Sequence, residues 1–206
     1  VTFKGRKLQK LRNLTKENNT ALFDVLLTEN AYDQAKARRV LHERGPAILL
    51  DLKKWLKEQG ENETAQLEAL WLHEAVNVVN ASLLMLALEA NDGRVRAGAM
   101  RVLAHWHDRL NTTELHAAAG IRDKHPRVRL EAMRVFAEMK DSTVAHQYAQ
   151  YALQSLDQPM DKFLDYGLWL TMNDLAEPFV RGMQNGALNF KDKTSHAEFA
   201  LRSLQP

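Results

Sequence analysis

Apolar residues recur along much of this chain at i, i+4, i+7, i+8 and i+11, the spacing that lines one stripe of an α-helix. The pattern is clearest in Val95, Ala99, Val102, Leu103 and Trp106, and again in Val128, Ala132, Val135, Phe136 and Met139. The two segments share R-V-R-x-x-A-M-R-V followed by a large apolar residue, with Arg94 opening one copy and Arg127 the next. Each follows a turn signal, Asn91-Asp92-Gly93 in one and Lys124-His125-Pro126 in the other. The Ala at i+4 leaves room for a neighbouring helix, so each segment is expected to be the second helix of a hairpin packed on its neighbours.

Weaker copies extend the pattern both ways. Ala37-Arg38-Arg39-Val40-Leu41 matches Ala99-Met100-Arg101-Val102-Leu103, and Ala65, Ala69, Leu72, His73 and Val76 keep the stripe between them. The small positions Ala37, Ala69, Ala99 and Ala132 are thus almost evenly spaced, and Phe163, Gly167 and Leu170 are expected to form a fifth, decayed copy. First helices are expected over 20–28, 47–58, 80–90, 113–121 and 143–156, with 175–183 and 195–204 closing the array. A period of about 30–35 residues built from two helices is the signature of a solenoid, in which each hairpin buries its stripe only against its neighbours. The expected fold is therefore all-α, an armadillo-like superhelix of about five to six HEAT-type helical hairpins. Its expected division is a linker over 1–15, the array over 16–190 and a C-terminal helix or linker over 191–206.

Composition agrees with this picture and narrows the chemistry. Only nine Gly and five Pro interrupt 206 residues rich in Ala and Leu, a balance that favours helix. Net charge is +2, from 28 basic and 26 acidic residues, which argues against a dedicated nucleic-acid or anionic-membrane binder. The chain has no Cys, so disulfides, thiolate metal sites and C-x-x-C-H haem attachment are excluded within it. The longest apolar run, Leu83 to Leu88, falls far short of the ~20 residues of a membrane span. No apolar h-region follows Val1-Thr2-Phe3-Lys4-Gly5-Arg6, and the chain is expected to be a mature or excised segment of something longer.

No constellation of residues reads as catalytic, and no metal or cofactor is expected. His73-Glu74-Ala75-Val76-Asn77 misses the H-E-x-x-H zinc motif at its second histidine, and His73 falls on the buried stripe. His105 and His107 stand about 200° apart around a helix and cannot share a metal. Asp157, Asp161 and Asp165 recur every four residues, as an acid–base or cation site would require, or as an acidic first turn after Pro159. Five N-x-[ST] triplets begin at Asn13, Asn18, Asn62, Asn80 and Asn111. All but the first sit near expected helix starts and read as caps. Asn111 with Glu114, and Ser195 with Glu198, resemble capping boxes. Asn185-Gly186 reads as a helix stop.

The candidate partner-binding surface is an arginine ladder, Arg94, Arg96 and Arg101 over Arg127, Arg129 and Arg134. Guanidinium forks at that spacing could grip carboxylates or phosphates of a ligand. In HEAT stacks such arginines commonly pair instead with turn aspartates of the adjacent hairpin, here Asp92 and Asp123.

Several stretches carry a more specific likeness: Gln34 to Gly45, Leu67-Glu68-Ala69-Leu70-Trp71-Leu72-His73, Asp92 to Arg96, His125 to Ala132 and, most distinctive, Leu156-Asp157-Gln158-Pro159-Met160-Asp161-Lys162-Phe163-Leu164-Asp165-Tyr166. Over roughly residues 1–185 the chain resembles the HEAT-repeat region of large exported, dehydrogenase-like proteins of planctomycetes and related bacteria. In those, a glucose/sorbosone-dehydrogenase-like propeller precedes the repeats and a c-type cytochrome module follows them. The resemblance implies a non-catalytic scaffold in a periplasmic or exported protein, with other domains of the same polypeptide or a separate protein as partner. It carries no catalytic or haem-binding residue onto this chain. The alternative function is a HEAT-like nucleic-acid binder with an arginine-lined concave face. A third is a regulatory or lyase-type HEAT protein acting on a tetrapyrrole chromoprotein.

Overall fold

A computed structural model describes residues 13–190 and 193–204, and every regular element among them is helical. The chain divides into two compact units between Val78 and Val79. In the first unit a short 3-10 helix, Leu14–Lys16, precedes α1 (Asn19–Leu26), α2 (Ala31–Arg44), α3 (Leu49–Glu58) and α4 (Glu63–Ala75). Helix α1 packs on α2 and on α3, while α4 packs on α2 and on α3, so first and second helices form separate layers. Of the expected entering linker, residues 1–12 lie outside the described residues. Leu14 is fully buried, and Arg44 donates to the Thr15 and Glu17 carbonyls, which ties residues 14–17 to α2.

The second unit repeats this layering. It contains α5 (Ala81–Leu88), α6 (Gly93–His105), α7 (Thr113–Ile121), α8 (Pro126–Glu138), α9 (Ala145–Leu153), α10 (Lys162–Asp174), α11 (Ala176–Gln184) and α12 (Thr194–Ser203). The pairs α5–α6, α7–α8 and α9–α10 are hairpins, each closed by contact between its two helices. Second helices run side by side as α6, α8, α10 and α12, and first helices α7, α9 and α11 form the other row.

The small positions behave as their sequence register requires. Ala37, Ala69, Ala99 and Ala132 are all fully buried. Their use is visible at Gly120 of α7, where an added Cβ would stand 2.9 Å from the Ala132 Cβ and 2.5 Å from the Met100 Cε. Two helices approach closely there because neither offers a side chain larger than a methyl. Gly120→Val is expected to destabilise the fold by about 2 kcal/mol, since overpacking a rigid contact forces a backbone shift. A urea titration followed by far-UV circular dichroism would measure the loss, and an unchanged midpoint would contradict the close-approach account.

The fifth copy sits one residue on from its expected register. Phe163 and Leu170 are exposed, and the buried stripe of α10 is Leu164, Leu168, Thr171 and Met172, continuing to Leu175. The same spacing, i, i+4, i+7, i+8 and i+11, is therefore kept, but Leu168 occupies the position held by Ala in the earlier copies. A further copy follows in α12, where His196, Ala200 and Ser203 are buried and Ala200 restores the small position.

Side-chain caps account for half of the twelve α-helix starts among the described residues. The Asn18, Asn62 and Asn80 side chains accept from the Ala21, Ala65 and Leu83 amides at 2.8, 3.1 and 3.1 Å. Asn30, Asp92 and Asp161 cap α2, α6 and α10 in the same way. The capping boxes expected at Asn111 and Ser195 do not form: α7 and α12 begin after Thr112 and Lys193, neither of which makes a side-chain cap bond. Gly186, at φ +74°, follows the C-cap Asn185 and ends α11 as expected. No helix among the described residues is long and apolar enough to cross a membrane.

Candidate functional site

The arginine ladder divides into two sets with different jobs. Arg96 is largely buried and clamps consecutive turns. Its Nη1 donates to the Ala90 and Asn91 carbonyls of its own turn, at 2.8 and 2.9 Å. Its Nε and Nη2 form a fork on the Asp123 carboxylate of the next turn, at 2.7 and 2.8 Å. Arg129, the equivalent residue of the next copy, repeats the design with only 3% of its surface exposed. Its Nη1 donates to the Asp123 and Lys124 carbonyls at 2.9 and 3.4 Å, and its Nη2 to the Pro159 carbonyl of the following turn at 2.6 Å. Arg96 and Arg129 are thus withdrawn from the candidate binding surface. The turn carbonyls left over at the helix ends need donors, and the buried guanidinium supplies several at once.

Gln34 holds the corresponding position in α2, three residues before Ala37. Its amide donates to the Leu26 carbonyl at 3.1 Å and to the Thr28 carbonyl. Sequence reasoning passed over it, although aligning the small positions would have placed it opposite Arg96 and Arg129. In the first unit Arg38 reaches across to Glu68 of α4, a nearly buried carboxylate.

Asp123 is the junction of the second unit's clamps, its carboxylate taking Arg96 and its carbonyl taking Arg129. Burial pushes its carboxyl up, but the Arg96 fork, the His125 amide at 2.7 Å and the surrounding positive charge outweigh this and hold it below the usual carboxylate range. Asp92 is held down to about 2, mainly by hydrogen bonds from the Arg94 side chain and backbone.

The remaining arginines face outward. Arg94 pairs with Asp92 at the start of α6, and Arg101 is exposed on the same helix. Arg127 pairs with the nearly buried Glu131 at 2.7 Å, leaving 58% of its own side chain exposed. Arg134 lies 3.7 Å from Glu138 and 3.4 Å from the His105 Nε2. These four occupy two repeated positions, five residues before and two after the small position.

The corrected register of α10 puts Phe163 and Leu170 at those same two positions. The surface therefore passes from arginine on α6 and α8 to large apolar side chains on α10. Phe163 and Tyr166 are 65% and 59% exposed, with Trp169 stacked on Tyr166 at a ring separation of 5.8 Å. Between α8 and α10 two clefts of about 250 and 280 Å³ flank Leu130, one reaching Arg127, Asp161 and Phe163, the other Arg134, Leu170 and Asp174. Leu130 can lean across because Gly167 has no side chain: a Cβ there would collide with the Leu130 Cδ1. None of these apolar residues was singled out as a binding surface from sequence, because Phe163 and Leu170 were assigned to the core.

The other candidate residues are spread apart. His73 is half-buried, with its Nδ1 3.2 Å from the Val78 carbonyl, and burial holds its pKa below the ordinary value. His105 faces Arg134, while the His107 Nδ1 lies 2.9 Å from the Ala104 carbonyl. Asp157, Asp161 and Asp165 do not form one cluster. Asp161 caps α10, Asp165 lies in its first turn, and Asp157 instead binds Lys193 at 2.8 Å and the buried His196 at 3.0 Å. That pairing ties the start of α12 to the short 3-10 helix Gln154–Asp157.

No family model matches the chain, and no curated protein matches it. A solved structure described as an engineered protein is similar at 16% identity, covering 91% of this chain and 97% of that chain with a TM-score of 0.49. A likeness of that size supports no conclusion about this chain.

Proposed function

We propose that the chain is a non-catalytic scaffold, a HEAT-type solenoid whose second-helix face receives a protein partner. The recurring turn clamp carries this reading. Gln34, Arg96 and Arg129 occupy one register position and satisfy the turn carbonyls in the same way, and the two arginines also bind the turn that follows. Such mortar between successive hairpins is what a repeat array requires, since each hairpin is stable only against its neighbours. By its resemblance, the array belongs to a larger exported or periplasmic oxidoreductase-like protein, and other domains of that polypeptide are natural partners.

The nucleic-acid reading loses ground for a physical reason. With Arg96 and Arg129 occupied within the turns, the outward arginines of the ladder are reduced to four, interspersed with Asp92, Glu131 and Glu138. Asp161 and Asp174 border the adjacent clefts, where a phosphate backbone would meet like charge.

Small-angle scattering of the whole chain tests the solenoid. A compact globule of this length has a radius of gyration of about 17 Å, and an extended array is expected to exceed it clearly. A radius at the globular value would remove the solenoid, and with it the scaffold reading. The reading frame of the parent gene tests the wider assignment: propeller strands upstream and a C-x-x-C-H downstream are expected.

A further inference from the structure

The change from arginine to apolar side chains along one repeated pair of positions identifies a partner chemistry. Phe163 and Leu170 are seven residues apart on α10, two turns or about 10.5 Å along the helix axis. Arg127 and Arg134 hold the equivalent places on α8 and edge the same two clefts. Leu130 stands between the clefts, held there by the absence of a side chain at Gly167. The groove thus offers two apolar recesses about 10 Å apart, separated by a knob, with the exposed Arg127 and Arg134 on the α8 edge, beside the nearly buried Glu131 and the half-exposed Glu138.

We infer that this groove takes an amphipathic helix of a protein partner, with large apolar side chains at i and i+7, a small residue at i+3 or i+4, and Asp or Glu along the flank lying over α8. The inference rests on the scaffold reading and specifies its ligand. A helix laid along α10 matches that two-turn spacing with its own i and i+7 side chains. The small residue is needed where the helix crosses Leu130. The acidic flank follows from Arg127 and Arg134, whose side chains stay 58% and 42% exposed and keep N–H donors beyond those spent on Glu131, or on Glu138 and His105. Apolar anchors supply the burial, while the arginine edge sets orientation and discriminates against basic partners. Asp161 and Asp174 disfavour a continuous polyanion, because they sit at the clefts' other edge.

The test is a display library of helical 20-residue peptides selected against the whole chain, with enriched peptides then measured by fluorescence anisotropy. Enriched sequences are expected to share the i, i+7 apolar pair, the small intermediate residue and a one-sided acidic flank. Leu170→Asp and Arg134→Glu should each weaken binding at least tenfold, while Arg39→Glu in the other unit should leave it unchanged. Arg134→Glu should also bind the same peptides better once their acidic flank is replaced by Lys. Circular dichroism melts of the variants confirm that each remains folded, as expected for exposed positions.

The inference is overturned if no peptide is enriched, if the enriched peptides lack the acidic flank, or if affinity ignores both groove substitutions. It is equally overturned if a DNA duplex binds more tightly than any peptide, or if the groove substitutions abolish a dimer of the chain. An extended scattering profile with no enriched peptide would leave the scaffold reading standing and remove this ligand alone.

Discussion

Replacing Arg129 by Ala is expected to lower the stability of the second unit by about 3 kcal/mol. The side chain is almost completely enclosed, and its two terminal nitrogens serve three backbone carbonyls from two successive turns. Truncation leaves the Asp123, Lys124 and Pro159 carbonyls without that donor and opens a channel where the aliphatic stem ran. Arg129→Lys should recover only part of the loss, because a single ammonium cannot span both turns as a planar fork does. Urea denaturation of the two variants measures both effects. A loss below about 1 kcal/mol for Arg129→Ala would reduce the clamp to an ordinary surface interaction. Because Asp123 accepts from both Arg96 and Arg129, the double Ala variant should depart from the sum of the single effects.

Phe136→Ala is expected to cost about 4 kcal/mol. Phe136 is fully buried in α8, and its ring stacks on Tyr148 and Tyr151 of α9 at centroid separations of 5.3 and 5.6 Å. The ring therefore closes the seam between one hairpin and the next, and its loss removes both aromatic contacts along with the buried area. Phe136→Leu keeps most of the volume and should cost clearly less. Chemical denaturation read by circular dichroism distinguishes the two, and equal losses would show that the seam depends on the ring contacts rather than on volume.

Much of this architecture was legible in the residues. Helix α7 begins and ends where the pattern places it, and the four alanines at the small position are all buried. This follows because a buried stripe and its turn punctuation are local properties that periodicity reports directly. The fifth copy slipped by one residue for an equally physical cause. Phe163 and Leu170 are apolar and exposed, so they imitate a core stripe, while Leu168 fills a place where earlier copies have Ala. Asn111 and Glu114 have cap spacing, but α7 starts at Thr113, past the residue that would have capped it.

The register of the six arginines was legible, but their division into turn clamps and outward side chains was not. Six arginines at repeated positions do mark the second-helix edge of the second unit, and Asp123 was correctly suspected as a structural partner. Sequence spacing alone does not distinguish a guanidinium folded under a turn from one aimed at solvent, because both lie on the same helix within two residues. The apolar half of the groove became visible only when the stripe of α10 was counted from Leu164.

The clamps also give the second unit a direction. Arg96 and Arg129 each take acceptors from their own turn and from the turn that follows in the chain. Each clamp is therefore complete only when the turn C-terminal to its own hairpin is in place. Removing the turn that follows would therefore leave Arg96 without its carboxylate partner and Arg129 without its outer carbonyl. The series stops at α10, where Asp165 stands in the clamp position and a carboxylate takes the place of the cation.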